Sequence, residues 1–291
     1  MKPIVGWAAA LLCLLATACV HTPPARQDAA MAVRAMTFNI RLDIASDGEN
    51  AWPNRKEHVF DLIRHEAPDV LGMQEVLLDQ KCDLEAALPG YAFLGVARDD
   101  GREAGEFSPL AYRTDRFVLI DSGTFWLSPT PDVPGKGWDA AYPRIATWAR
   151  LRDRTSGKEM RVLNTHFDHV GAQARAEGAS QIARWVAAGA GQPTIAMGDF
   201  NSAPDSEPYR RLTDSASSLA NTRTLSRTPP YGPRGTFTAF DISRDAGAPI
   251  DHIFVTREFT VASHAVITQH WGGKLPSDHY PVLVVLETAG R

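Results

Sequence analysis

Two short stretches place reactive side chain types against apolar runs. In IAMGDFNSAP (195–204), Asp199 and Asn201 follow the buried-looking Ile195-Ala196-Met197; in SDHYPV (277–282), Asp278 and His279 stand just before VLVVLE. Gly, Asp and Asn are turn formers, so either stretch alone reads as a turn. The pattern recurs, however. Asn39 ends VRAMTFN, Glu75 ends VLGMQE, His166 ends MRVLNTH, and Asp251 opens the run IDHIFV. Turn chemistry does not account for a Glu or for two His at such positions. Polar groups at this many strand termini point to one rim, because strand ends in a twisted sheet converge on a common edge.

The residue types indicate the chemistry. Glu75, Asp278 and the amide oxygen of Asn39 are hard oxygen donors, which suit Mg²⁺, with Mn²⁺ as a substitute. His166 and His279 are cationic donors for a developing negative charge. Asp199 accepts a proton from water, and Asn201 holds that water or a phosphate oxygen. Metal, proton acceptor and His donors together describe a phosphoester hydrolase. Arg144, between Pro143 and a strand, is a phosphate-contact candidate, since the guanidinium fork matches phosphate oxygens; the alternative is a salt-bridged Arg.

The elements that must position these groups alternate strand, helix, strand, helix before a β-rich middle. NRKEHVFDLIRHE carries Val59, Leu62 and Ile63 on one helical face, and Pro68 closes it. A second helix runs to about Leu88, with Cys82 expected as a small buried hydrophobe. GAQARAEGASQIARWVAAGA is a third, with Ile182, Trp185 and Val186 inward. RIATWARLR and MRVLNTHF flank DRTSGK as a hairpin. The segments at 97–107 and 128–143 read as long surface loops, and loops of that length in a compact domain are usually functional. Trp126, Trp138 and Tyr142 lie in or near them and offer faces on which a base or sugar ring stacks, unless, as for Trp126, they pack in the core.

The chain has 291 residues, a formal net charge of −4 and three Cys. The charge argues against a generic polyanion binder. MKPIVGWAAALLCLLATACV has one Lys, an apolar run from Ile4 to Leu15 and small residues before Cys19, the form of a secretory signal. It also resembles a bacterial lipobox, with ordinary cleavage near Ala18 as the alternative. The expected organisation is a signal peptide at 1–18, a tether at 19–32 and a catalytic domain at 33–288. The protein is then exported, periplasmic and membrane-anchored only through a lipid on Cys19. Beyond Cys19 only Cys82 remains, so no internal disulfide forms in the exported part.

Taken in order, FNI, QE, NTH, GDFN, IDHI and SDHYPV resemble the endonuclease/exonuclease/phosphatase superfamily, from about Val33 to Leu286. TFNIR, ENAWPNR and NTHFDHVG look most like a bacterial branch related to nocturnin and the carbon-catabolite-repressor deadenylases. The resemblance implies the deoxyribonuclease I fold, a four-layer α/β sandwich of two packed mixed sheets flanked by helices. It also implies that Glu75 is the principal Mg²⁺ ligand with Asn39 and Asp278 nearby. On the same basis His166 and His279 contact the scissile phosphate, Asp251 orients His279, and Asp199 works on the attacking water beside Asn201. Some family nucleases carry an Asp two residues after the first Asn; here Arg41 occupies that position, as a phosphate contact or a solvent-facing residue.

Rival readings are weaker. NTHFDH partly resembles the H-x-H-x-D-H signature of metallo-β-lactamase-fold hydrolases, but Asn164 replaces the first His and the rim is dominated by oxygen, whereas zinc favours N and S. A non-catalytic surface-binding lipoprotein would leave a gap among the acid, base and metal positions. The expected substrate is a phosphate ester, diester or monoester, taken by a monomer. An exported nuclease is the alternative, and net charge does not favour it.

Overall fold

The computed structural model describes residues 30–214 and 218–288. The expected signal peptide and nearly all of the expected tether lie outside the described residues. Met31 is already buried and Ala32 opens the first strand, so packing starts at the last two positions assigned to the tether.

The first half of the chain forms β1 (Ala32–Asn39), α1 (Trp52–Glu66), β2 (Val70–Gln74), α2 (Leu78–Ala87), β3 (Tyr91–Leu94), β4 (Leu110–Arg113) and β5 (Phe117–Trp126). The second half forms β6 (Ile145–Asp153), β7 (Glu159–His166), α3 (Ala172–Ala187), β8 (Thr194–Asp199), α4 (Glu207–Thr213), β9 (Leu219–Asn221), α5 (Thr222–Leu225), β10 (Asp251–Thr256), β11 (Phe259–Val266) and β12 (Val282–Thr288). They build two six-stranded sheets, ordered β11-β12-β1-β2-β4-β3 and β5-β6-β7-β8-β10-β9. This is the expected sandwich of two mixed sheets with flanking helices. The short α4, β9 and α5 carry too few residues to give a period, and the sequence did not signal them.

Each sheet has a parallel pair at its centre, β1 with β2 and β7 with β8. Parallel neighbours require a crossover, here α1 and α3, and a crossover brings both strand ends to the same edge. Residues alternate across each strand. Val33 and Ala35, with Val162, Ile195 and Met197, enter the core between the sheets, while Met36 and Phe38 pack beneath α1. Leu163, Ala196 and Phe254 turn to the other outer layer, against Ile182 and Val186 of α3.

One helical expectation changes, that for Cys82, while Trp185 packs against the core only in part. Cys82 is exposed, because α2 buries Gln80 and Leu84, four residues apart, and position 82 lies off that face. Trp185 is half-buried and covers the guanidinium of Arg161 at 3.7 Å.

Near the rim the inter-sheet core becomes polar. The Gln74 amide donates to Thr37 Oγ1 (3.0 Å) and to Asn164 Oδ1 (2.6 Å), and Asn164 Nδ2 donates to the carbonyls of Met73 (2.7 Å) and Pro109 (2.9 Å). Asn164 reaches these carbonyls only because residue 72 is Gly: a Cβ there would lie 2.5 Å from Asn164 Oδ1. Gly72→Ala is expected to cost about 1–3 kcal/mol by overpacking this layer, read as a lower urea midpoint. An unchanged midpoint would mean that the sheets separate freely at this level.

Candidate active site

The period of two that sorts the core also aims the rim residues. Asn39 ends β1, His166 ends β7 and Asp199 ends β8, each in register with the inward-facing side chains below it. β10 and β12 run antiparallel to these strands, so it is their beginnings that reach the same edge. Asp251 opens β10 directly opposite Asp199, and Asp278-His279 precede β12. Glu75 follows β2. All ten residues singled out from the sequence meet here. Eight line a cleft of about 700 Å³, while Asn39 and Asp251 stand behind it and bond to residues that do.

Two matching turns shape the rim. The Arg41 N–H donates to Asn39 Oδ1 (3.0 Å), and the Asn201 N–H donates to Asp199 Oδ1 (2.9 Å). Arg41 and Asn201 both adopt left-handed φ angles, 58° and 45°, and Glu75 does so at 60°. Such non-glycine residues are strained and persist where their surroundings over-determine them. Gly198, the first residue of GDFN, is required by closeness to β7: a Cβ there would lie 2.0 Å from the Thr165 carbonyl.

Asp199 is the hub. Its Oδ2 accepts from Asn39 Nδ2 (3.0 Å) and lies 3.5 Å from His166 Nε2 and 3.9 Å from His279 Nε2. Burial, reinforced by Asp251 alongside, pushes its carboxyl up to about 7. His279 bonds through Nδ1 to Asp251 Oδ2 at 2.8 Å. Burial alone would lower this imidazole, but Asp251, Asp199 and Asp278 outweigh it and raise it to about 10. His279 is therefore an imidazolium at neutral pH.

His166 behaves oppositely. Burial, then the charges of Arg144 and Arg98, hold it well below the usual histidine range. The expectation of a second cationic His is corrected: His166 is neutral. With Nε2 accepting from the Asn201 amide (3.2 Å), its proton sits on Nδ1.

Arg144 is buried and ion-paired. Its Nε donates to Asp168 Oδ2 (3.2 Å), its Nη2 meets His169 Nδ1 (3.0 Å), and its Nη1 has no partner. Asp168 thus stands behind Arg144, while His169 is exposed and lines the cleft beside it. Arg41 lies inside the site, forked onto Asp47 (2.9 and 2.9 Å) and 3.9 and 4.0 Å from Glu75 and Asp278. Its charge serves carboxylates first.

Two clusters could hold a cation. Asp199, Asp251 and His279, all buried, bring ligand atoms within 4.8 Å of one another and form a possible cation site, in which His279 would ligate after losing its proton. Glu75 and Asp278 are the second cluster. Burial raises the Asp278 carboxyl, and Glu75 adds to the push, against which Arg41 supplies a guanidinium to the pair. This excess of hard oxygen charge suits a divalent ion. Asn39 turns its oxygen to the Arg41 amide and its NH₂ to Glu75 (2.9 Å) and Asp199, so it orients carboxylates here.

The sequence reading missed Arg98, Glu106 and Phe237, which also line the cleft. For Arg98 and Glu106 the one signal was the charged composition of ARDDGREAGEF, and Phe237 had none. Trp126 is buried, its indole N–H on the Arg98 carbonyl at 2.7 Å; Tyr142 is exposed at the cleft, and Trp138 is half-buried.

This fold and rim coincide with a known family. Residues 36–279 match the Endonuclease/Exonuclease/phosphatase family, to which the chain belongs. Among solved structures it is similar to an endonuclease/exonuclease/phosphatase from Bacteroides vulgatus, 41% identical, with 89% of this chain and 100% of that chain covered and a TM-score of 0.85. A mannosyl-6-phosphatase from Bacteroides thetaiotaomicron is 36% identical over 87% of this chain and 99% of that one, with a TM-score of 0.83. The human nocturnin catalytic domain shares the fold at 23% identity, 89% and 95% coverage and a TM-score of 0.69. The curated relatives it matches are uncharacterized proteins of Acanthamoeba polyphaga mimivirus, and the chain spans less than half of their length, 46% and 17%.

The charge on His279 depends on Asp251. Asp251→Asn is expected to lower the His279 pKa toward the ordinary histidine range, followed by NMR titration of the ring. A His279 titration that stays above pH 9 would reassign its stabilisation to Asp199 and Asp278.

Proposed function

We propose that the chain is a metal-dependent hydrolase of phosphate esters of small alcohols, with sugar phosphates as the leading class. One observation carries this reading: a buried Asp199 carboxyl near neutrality, beside a protonated His279 and the oxygen pair Glu75 and Asp278, on the floor of one cleft. When bound by Glu75 and Asp278, a divalent cation such as Mg²⁺ supplies positive charge for phosphate oxygens and makes water more acidic. Asp199, oriented by Asn39 and Asn201, takes a proton from the attacking water. His279 donates from Nε2 to a phosphoryl oxygen while Asp251 holds the imidazolium in place. The unpartnered Nη1 of Arg144 and the Nδ1–H of His166 face the same phosphate as donors.

The small-substrate part rests on shape and charge. The segment around Arg98 and Glu106 and that around Tyr142 wall the cleft, and the net charge is −4, whereas binding to a nucleic acid draws its affinity from basic residues on the phosphates. The likeness to a mannosyl-6-phosphatase supports a monoester of a sugar. The leader-like N-terminus supports an exported protein anchored at Cys19.

The deciding experiment is a panel with Mg²⁺ or Mn²⁺: hexose 6-phosphates, nucleotides, a short diester, plasmid DNA and poly(A). Highest kcat/KM is expected on a small monoester, with activity lost in EDTA and restored by metal, and with Glu75→Gln needing more metal for half-maximal rate. Faster cleavage of either polymer per accessible bond would make the protein a nuclease, and full activity in EDTA after metal stripping would remove the metal.

Asp199→Asn and His279→Ala are each expected to lower turnover by about 10²–10⁴, with unchanged circular dichroism. Wild-type turnover in either folded variant would contradict the role given to that residue.

A further inference from the structure

We propose that Arg98, Glu106 and Tyr142 form the seat of the leaving alcohol, and that this alcohol is a cyclic polyol gripped by a vicinal pair of hydroxyls. The proposal rests on the small-monoester reading above and adds the means of recognition.

The seat lies one side chain away from the proposed base. His166 Nε2 is 3.5 Å from Asp199, and its Nδ1 is 3.9 Å from Glu106 Oε2. Glu106 accepts in turn from Arg98 Nη1 at 2.6 Å, and the Arg98 guanidinium stacks 4.8 Å beneath the Tyr142 ring. An ester whose phosphate meets Asp199, His279 and Arg144 therefore extends its alcohol along His166 toward this pair.

Unsatisfied donors mark what belongs there. Buried polar atoms in folded proteins nearly always have partners. Arg98 Nε is buried without a hydrogen-bond partner and lies 3.7 Å from Asp99 Oδ1, while Arg144 Nη1 and His166 Nδ1, also unpartnered, are the donors given above to the phosphate; all three residues line the cleft. Such donors call for acceptor oxygens. Glu106 makes the opposite demand: its carboxylate, already accepting from Arg98 Nη1, has lone pairs left for a further donor. A hydroxyl group both donates and accepts, so adjacent hydroxyls satisfy Arg98 with one oxygen and Glu106 with the other. A second phosphate satisfies the arginine and is repelled by Glu106; a plain alkyl chain satisfies neither.

Tyr142 supplies the remaining surface. Its side chain is 49% exposed, above Arg98 and beside His169 at 6.0 Å between ring centres. A flat ring at the cleft mouth is a platform for the C–H face of a sugar. The wall is also built in advance. The Trp126 indole holds the Arg98 carbonyl at 2.7 Å, the Arg98 N–H reaches the Glu106 carbonyl at 3.0 Å, and Asp100 Oδ1 accepts from the amides of 102, 103 and 104 at 2.8–3.0 Å. Little ordering is then left for binding.

The test compares wild-type protein with Mg²⁺ on a hexose 6-phosphate, on analogues lacking one ring hydroxyl at a time, on butyl phosphate and on p-nitrophenyl phosphate. Loss of one engaged hydroxyl is expected to lower kcat/KM about tenfold or more, mainly through KM, by stranding a charged partner. Glu106→Gln and Tyr142→Leu are each expected to lower the ratio of kcat/KM for hexose 6-phosphate to that for p-nitrophenyl phosphate by about fivefold or more. The exposed Tyr142 side chain makes its variant a safe fold. Deoxy analogues all within about twofold of the parent, or an unchanged ratio in the folded Tyr142→Leu variant, would overturn the proposal alone. Failure of the wild type on every monoester would overturn the parent reading and this one together.

Discussion

The molecule depends on the face-to-face packing of two parallel strand pairs, β1/β2 against β7/β8. Each pair is joined by a crossover helix, so each delivers two strand ends to one edge, and the inter-sheet core presses the edges together. Because side chains alternate with period two, the same parity that buries Val33, Ala35, Val162, Ile195 and Met197 points Asn39, His166 and Asp199 into the seam. The antiparallel neighbours β10 and β12 add their first residues to the same place. The site is therefore the polar end of the hydrophobic core, set by the register that the core enforces.

Polarity along that seam changes in stages. Apolar side chains give way to the neutral bonded layer of Thr37, Gln74 and Asn164, and this to the charged rim. The middle layer satisfies the Gln74 NH₂ and the Asn164 amide, leaving Gln74 Oε1 without a partner, and the groups above it are buried. Burial is what raises Asp199 and Asp278 and opposes the charge on both histidines. The left-handed residues Arg41, Glu75 and Asn201 belong to the same constraint: strands held this close cannot splay at their ends, and the chain turns sharply in place.

The rim was legible in the sequence because it follows from pattern. Glu75 and two His at the borders of apolar runs break the rule for ordinary turns, and the strand–helix–strand order tells which ends converge. What pattern could not convey was pairing. The neutral state of His166 comes from burial, helped by Arg144 and Arg98, which approach from segments far apart in sequence and which no local spacing connects. Arg41 looked free, and its fork onto Asp47 exists only because a short 3-10 turn at Ala45–Asn50 folds back over it. Glu106 was hidden among four acids in one charged loop. Cys82 failed for a local reason: two apolar neighbours did not reveal which side of a weakly amphipathic helix faced inward.

The two histidines express the division of labour in the site. Both are buried to a similar degree and both lie within 4 Å of Asp199. Their opposite protonation comes from what lies beyond them: Asp251 and Asp278 on the His279 side, Arg144 and Arg98 on the His166 side. The site thus sets Glu75, Asp251 and Asp278, with Arg41 and the His279 imidazolium among them, on one side and the ion pairs Arg98–Glu106 and Arg144–Asp168 on the other, with Asp199 between. The electrostatic asymmetry of two identical side chains is thereby set by the residues behind them, and it leaves one imidazolium and one neutral imidazole on either side of the same carboxylate.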